Sequence, residues 1–224
     1  MSYNIHIGIG MDDVIDLERI AKVIIEINPD FVGLQEVDSI TERVGWVDQI
    51  SELARLTGMY PIFAPATERS KGLYGIAALS REKPVSFKNI PLPGVEEPRT
   101  FLVVEYKDYL LCNTHFSLEK ESRIESVEIL DRVVKSYSKP VILTGDFNML
   151  PDSEEINALL VNWELLTDPE INTFRADRPT RTIDYILGYK SKGYLYEVQK
   201  AVVVNEPVAS DHLPIYIDVQ LGHQ

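Results

Sequence analysis

PVILTGDFN, residues 140–148, is an apolar run that stops abruptly in polar residues. Val141, Ile142 and Leu143 predict a buried strand. Asp146 and Asn148 follow at its end, where a loop would carry them out of the core. The same arrangement recurs along the chain. Glu36 follows FVGLQ, and His115 follows LLCNT. Asp184 lies between TI and YIL, Asp211 and His212 precede LPIYI, and Asn4 sits in the first strand. Apolar strands give these carboxylates, amides and imidazoles a fixed place, and their ends are expected to converge on one sheet edge.

Helical and strand patterns alternate around this stretch. Residues 3 to 9 predict a short strand. Asp16 is the N-cap of a helix with Leu17, Ile20, Ile24 and Ile27 on one face, stopped by Asn28-Pro29. Val47, Ile50, Leu53 and Ala54 form a second helix closed by Gly58. Strands are predicted in PDFVGLQEV, YPIFA, GIAALS, TFLVVEY and YLLCNTHF. Ser117 is read as the cap of a third helix carrying Val127, Leu130 and Val134. Ser153 caps a short helix carrying Ile156, Leu159 and Leu160. TIDYILGY, YLYEVQKAVVV and LPIYIDVQL complete the strands. The Pro- and Gly-rich segment from Lys88 to Arg99 reads as a loop too short to divide domains. The 224 residues therefore read as one domain, 1–224, of layered α/β (α+β) structure.

Composition narrows the function. The formal charge is −13, from 22 basic and 35 acidic residues, so charge alone does not suit the chain to holding long nucleic acid. A bound metal and a local basic patch reverse that field at a site. No apolar run reaches the ~18 residues of a membrane span, so stable membrane insertion is not expected. The opening MSYNIHIGIG lacks a signal-peptide pattern and points to the cytoplasm. Cys112, the single cysteine, reads as a buried strand residue. His6 is read as a strand position near the site and His223 as part of a frayed tail.

The polar set suits phosphate-ester hydrolysis. A hard cation such as Mg²⁺ (or Mn²⁺) takes oxygen ligands, which Glu36 and the aspartates supply, with Asn4 and Asn148 adding neutral oxygen. No His/Cys cluster suggests structural zinc. A metal with an imidazolium stabilises phosphoryl oxygens, and a carboxylate accepts a proton from the attacking water. Each residue also has a plainer reading. Asp146 and the Asp211-His212 pair suit polar turns, His115 a satisfied core histidine, Glu36 a strand-end surface residue, and Asp184 a structural pairing. Those readings would have to hold independently at five places.

The segments YNIHIG at 3–8, DLERIAKVI at 16–24, LQEVD at 34–38, YGIAALSR at 74–81, NTHF at 113–116, TGDFN at 144–148, TFRADRPTRTIDYIL at 173–187 and SDHLPI at 210–215 resemble the endonuclease/exonuclease/phosphatase superfamily, in its order. The resemblance implies a four-layered αββα sandwich of the deoxyribonuclease type: two mixed β-sheets flanked by helices. It implies a Mg²⁺- or Mn²⁺-dependent phosphoric ester hydrolase, with a catalytically inactive phospho-ligand or protein-binding module as the alternative. By motif position, Asn4, Glu36 and Asp211 match metal-side residues. Asp146 and Asn148 match the water-side carboxylate and its amide. His115 matches a phosphate contact, and Asp184 and His212 match a hydrogen-bonded pair. Arg81, Arg99 and Arg181 match basic positions that bind substrate phosphate, though each also reads as an exposed arginine.

Two positions depart from the family pattern: Ile76 stands where many relatives have Asn, and Ser126 where many have Gln. The expected partner is a phosphoester: nucleic acid, a phospholipid head group or a small phosphate ester. The chain is expected to be a monomer.

Overall fold

Strand alternation sorts the apolar residues into three layers. In the computed structural model, which describes residues 1–190 and 193–223, one face of each sheet packs on helices and the other faces the second sheet. The first sheet has the order β11-β12-β1-β2-β4-β3 and the second β5-β6-β7-β8-β10-β9. In chain order these are β1 (Ser2–Asn4), α1 (Leu17–Ile27), β2 (Phe31–Ser39), α2 (Gln49–Thr57), β3 (Tyr60–Arg69), β4 (Gly72–Ser80), β5 (Ser86–Leu92), β6 (Arg99–Glu105), β7 (Leu110–His115), α3 (Lys120–Val134), β8 (Val141–Asp146), α4 (Glu154–Leu159), β9 (Trp163–Leu165), β10 (Asp184–Tyr189), β11 (Tyr194–Val203) and β12 (Ile215–His223). Both sheets are mixed: β1 runs parallel to β2, and β7 parallel to β8, among antiparallel neighbours.

Val32 and Leu34 of β2 point out to Ile20, Ile24, Ile50 and Leu53 of α1 and α2. Cys112 and Leu143 point out to Val127, Leu130 and Ile156 of α3 and α4. Between the sheets, Phe31, Ile62 and Ala78 meet Leu102 and Val104. The result is the four-layer α/β sandwich. Asp16 caps α1 by accepting from Arg19 N, and Ser153 caps α4 by accepting from Ile156 N. Gly58 closes α2 at φ 71°, as read from the sequence. Among the described residues, no helix is long and apolar enough to cross a membrane.

Several expectations are corrected. The first strand stops at Asn4, because Asn4 Oδ1 accepts from His6 N at 3.0 Å and turns the chain into a 3₁₀ turn, His6–Gly8. Residues 88–92 are strand, not loop: β5 is an edge strand, where Pro91 removes no needed donor, and Leu92 is buried. Glu119 caps α3, accepting from Glu121 N and Ser122 N, while Ser117 Oγ donates to Glu96. Val47 precedes α2 and is exposed. His223 ends a paired strand instead of fraying. The short strand β9 was not foreseen.

The sheets are fastened together by polar groups. β2 bulges between Leu34 and Val37 where it pairs with β4. The carbonyls of Leu34 and Ala77, at that interruption, both accept from Asn113 Nδ2 of β7, at 2.8 and 2.9 Å. Asn113 Oδ1 in turn accepts from Gln35 Nε2 at 2.6 Å. The sheets approach so closely here that a Cβ on Gly33 would stand 2.1 Å from Thr144 Oγ1. Asn113→Leu preserves size but strips both carbonyls of their donor, and a buried unpaired polar group costs about 1–3 kcal/mol. The urea midpoint of this variant should fall by the equivalent of about 2–4 kcal/mol with an unchanged m value. An unaltered midpoint would show that the clamp contributes nothing.

Candidate active site

Three of the singled-out residues share one row across the second sheet. In strand pairing, His115 of β7 lies opposite Asp146 of β8, and Asp146 opposite Asp184 of β10. The first sheet supplies Asn4, paired with Gln35, and the adjoining Glu36. The bulge in β2 holds Glu36 at φ 55°, and His6 and Asn148 also have left-handed backbones, at 47° and 51°. Non-glycine residues adopt that region at an energetic cost, and such positions gather where side chains must be aimed. His115, Asp146, Asn148, Asp211, His212, Glu36 and Arg181 line one cleft of about 880 Å³, and Asn4 and Asp184 lie behind them.

Asn4 joins the two sheets at the floor of this cleft. Its Nδ2 donates to Glu36 Oε1 and to Asp146 Oδ2, both at 3.0 Å. Carboxylates only accept, so the amide nitrogen must face them, and Asn4 Oδ1 is turned to His6 N. Asn4 thus aligns two carboxylates and does not offer the cleft the neutral oxygen expected of it. Asn148 orients Asp146 as well, by donating its backbone N–H to Oδ1, while its side chain donates to Phe116 O. Burial pushes the Asp146 carboxyl up to about 7; Asp184 adds to this, and His212, Asn4 and the Asn148 N–H oppose it.

His212 Nδ1 donates to Asp184 Oδ2 at 2.9 Å, and Thr173 Oγ1 donates to the same oxygen at 2.6 Å. Burial opposes a charge on this ring. The carboxylates of Asp184 and Asp146 outweigh it and lift His212 to about 10. Nε2 of His212 lies 3.5 Å from Asp146 Oδ2. The ring packs on Phe174 at 4.7 Å between centroids, and the Arg181 guanidinium lies over the same Phe174 ring, 4.7 Å from its centroid.

His115 is set up in the opposite sense. Arg99 Nη1 donates to His115 Nδ1 at 3.0 Å. Arginine has no acceptor, so Nδ1 is unprotonated and the proton of the neutral ring sits on Nε2, which lies 3.5 Å from Asp146 Oδ2. Burial, with the charges of Arg99 and His212, holds His115 well below its ordinary pKa. Arg99 itself is buried and held by Glu96 at 2.8 Å and Glu97 at 3.1 Å. It therefore positions His115, in place of the direct phosphate contact expected from the sequence.

Arg81 is not brought to the cleft. It binds Pro29 O and Asn28 Oδ1 beside a separate cavity of about 470 Å³. Ile76 is buried between the sheets with Ala64 and Leu102, so its apolar side chain takes no contact from the cleft. Ser126 Oγ is turned to Ser122 O inside α3. His6 gains a place at the site, 3.8 Å from Asp211 Oδ1. Glu96 and Glu97 escaped the sequence reading; their signal was the acidic pair just before Arg99.

Asp146, Asp184 and His212 bring potential ligand atoms within 4.8 Å of one another. Because His212 Nδ1 is occupied by Asp184, this trio reads as a proton-sharing group. Of the other carboxylates lining the cleft, Glu97 and Glu155 are paired with arginines, which leaves Glu36, Asp152 and Asp211; Asp211 adjoins Ser210, whose Oγ donates to Asn4 O. Oxygen donors of this kind suit a hard divalent ion.

Comparison with known proteins agrees with this architecture. The model of the endonuclease/exonuclease/phosphatase family matches residues 1–212. The chain is similar to an endonuclease/exonuclease/phosphatase from Beutenbergia cavernae, at 23% identity and TM-score 0.80, covering 99% of this chain and 70% of that one. It is similar to a mannosyl-6-phosphatase of Bacteroides thetaiotaomicron, at 20% identity and TM-score 0.78, over 98% of both chains. The human Nocturnin catalytic domain, solved with bound sulfate, is 22% identical with TM-score 0.71, covering 98% of this chain and 91% of that one. At these identities the likeness establishes the fold.

The two histidines make separable predictions. His212 moves from 6.5 to about 10 on folding, so its stabilising contribution is complete below pH 6.5 and is lost as the pH rises through about 10. In EDTA-treated protein, Asp184→Asn should lower the urea midpoint below pH 6.5 and do progressively less as pH 10 is approached. A deficit that does not vary with pH would remove the charged pair. For His115, ¹⁵N NMR should show a neutral ring protonated at Nε2, and Arg99→Met should allow the other tautomer. A wild-type ring protonated at Nδ1 would contradict the Arg99 contact.

Proposed function

This chain belongs to the endonuclease/exonuclease/phosphatase family, and from that premise we propose that it is a hydrolase of phosphoester bonds that works with a divalent metal, Mg²⁺ or Mn²⁺. The observation that carries this reading is the meeting of the His115–Asp146–Asp184 row with the Asn4–Glu36 pair and His212 at one cleft. Glu36 and Asp211 would hold the ion, with Asn4 aligning Glu36. When bound, the metal supplies Lewis-acid stabilisation of the phosphoryl oxygens.

The chain's own groups divide the remaining work. Asp146 accepts a proton from the attacking water. Its two oxygens are fixed by Asn4 Nδ2 and Asn148 N, so the lone pair used for that proton has a set direction. A carboxyl lifted toward neutrality by burial is a more effective base than an exposed one, provided it is ionised. The charged His212 donates from Nε2 to a phosphoryl oxygen, while Asp184 keeps the ring charged and oriented. His115 offers a second, uncharged N–H donor from Nε2. Two donors of different charge are thereby held in place before the reaction begins, with little reorganisation left to the chemical step.

The test is hydrolysis of bis-p-nitrophenyl phosphate and p-nitrophenyl phosphate with Mg²⁺ or Mn²⁺. Turnover of at least one should require the ion and be abolished by EDTA. Asp146→Asn and His212→Ala should each lower kcat by roughly 10²–10⁴-fold without a matching loss of fold. Full activity in either variant would remove these roles, and absence of metal-dependent turnover in folded protein would remove the enzyme. The pH profile should be bell-shaped. Its acidic limb should lie at or below about 7, since the bound ion favours ionised Asp146, and its alkaline limb near 10, where His212 loses its proton.

A further inference from the structure

The cleft contains many arginines, yet almost none of their charge is available to a substrate. Arg43 grips the buried Asp38 with two hydrogen bonds, at 2.6 and 2.7 Å. Arg69 pairs with Glu97 at 2.6 Å, Arg99 with Glu96 and Glu97, and Arg123 with Glu155 at 2.5 Å. Among the described residues, Arg181 is the cleft arginine without an ion pair; its guanidinium lies over Phe174, whose ring also packs on His212. Among the described residues, no lysine lines the cleft. Uncommitted positive charge is therefore confined to one end, beside His212.

Resting on the phosphoesterase reading, we propose that the substrate is an ester carrying one phosphate on a small, otherwise uncharged, hydroxyl-bearing molecule, such as a sugar or polyol phosphate, with Arg181 as the phosphate anchor. A nucleic-acid strand needs a track of cations to replace its counterions, and the arginines that would form the track are neutralised. The Arg123–Glu155 pair is nearly buried and carries no net charge, while the more open Arg69–Glu97 pair presents N–H donors beside carboxylate acceptors, also with no net charge. That surface matches hydroxyl groups, which both donate and accept. The overall charge of −13 further opposes the approach of an extended polyanion. Phe174 touches both the Arg181 guanidinium and the His212 ring, which places the two cations at the same end of the cleft.

The experiment compares, with Mg²⁺ or Mn²⁺ present, hexose 6-phosphates and glycerol phosphate against single- and double-stranded DNA oligonucleotides, with p-nitrophenyl phosphate and its bis ester as the check on hydrolysis itself. A sugar or polyol phosphate should show the highest kcat/KM, and oligonucleotides should neither be cleaved nor inhibit p-nitrophenyl phosphate turnover. Arg181→Ala should lower kcat/KM for the sugar phosphate by roughly ten- to a hundredfold, mostly through KM, with partial recovery in Arg181→Lys. Cleavage of an oligonucleotide in preference to every small ester, or an Arg181→Ala variant with unchanged kcat/KM, would overturn the inference while leaving the phosphoesterase intact. Failure to hydrolyse any ester, including the nitrophenyl compounds, would remove the phosphoesterase reading and this inference with it.

Discussion

Asn113 holds the two sheets at a fixed distance and register, and the rest of the molecule depends on that register. Its amide donates across the interface to the carbonyls of Leu34 and Ala77 and accepts from Gln35. Gly33 permits the close approach, since any side chain there would collide with Thr144 and Asn113. The bulge in β2 that interrupts its ladder also turns Glu36 into the cleft. Structural and chemical consequences thus come from one irregularity: two carbonyls that need a donor from the other sheet, and a carboxylate aimed where an apolar strand could not send it. A polar contact in a dry interface is directional, whereas the apolar layers around it tolerate sliding.

The site continues that interface to its open edge. Asn4 repeats the role of Asn113 at the floor of the cleft, with one amide nitrogen bridging a carboxylate from each sheet. Around it, burial is used in two directions. His212 keeps its charge because Asp184 lies against it, while His115 is denied a charge because Arg99 does. Two imidazoles a few ångströms from the same aspartate are therefore different reagents. The groups that hold Arg99 and Asp184 decide which, and they come from loops far apart in the chain: Glu96 and Glu97 before β6, and Thr173 before β10.

Net charge and local charge part company in the same way. The chain is strongly acidic, yet its cleft is rich in arginine; the arginines are paired internally, so neither count describes what a ligand meets. What matters is the guanidinium left over, and it sits beside the charged histidine.

The alternation of apolar strands with helices, and the polar residues at strand ends, were legible in the chain because periodicity and local propensity are properties of neighbours. Asp16, Gly58 and Ser153 could be read as caps for the same reason, and GDFN, IDYI and SDH marked the positions that meet in the cleft. Where the reading failed, the deciding partner was distant. Ser117 looked like a cap until Glu96 claimed it, and Lys88 to Leu92 looked like loop until pairing with β6 made them strand. Arg81 and Arg99 were equivalent as sequence, but one was carried to the far side of the molecule and the other was buried against His115. By itself the sequence determined which residue types stand at strand ends. Only the tertiary structure decided which nitrogen of each histidine carries a proton, which way Asn4 faces and which arginine stays unpaired, because hydrogen bonds and ion pairs are set by groups brought within about 3 Å across the fold.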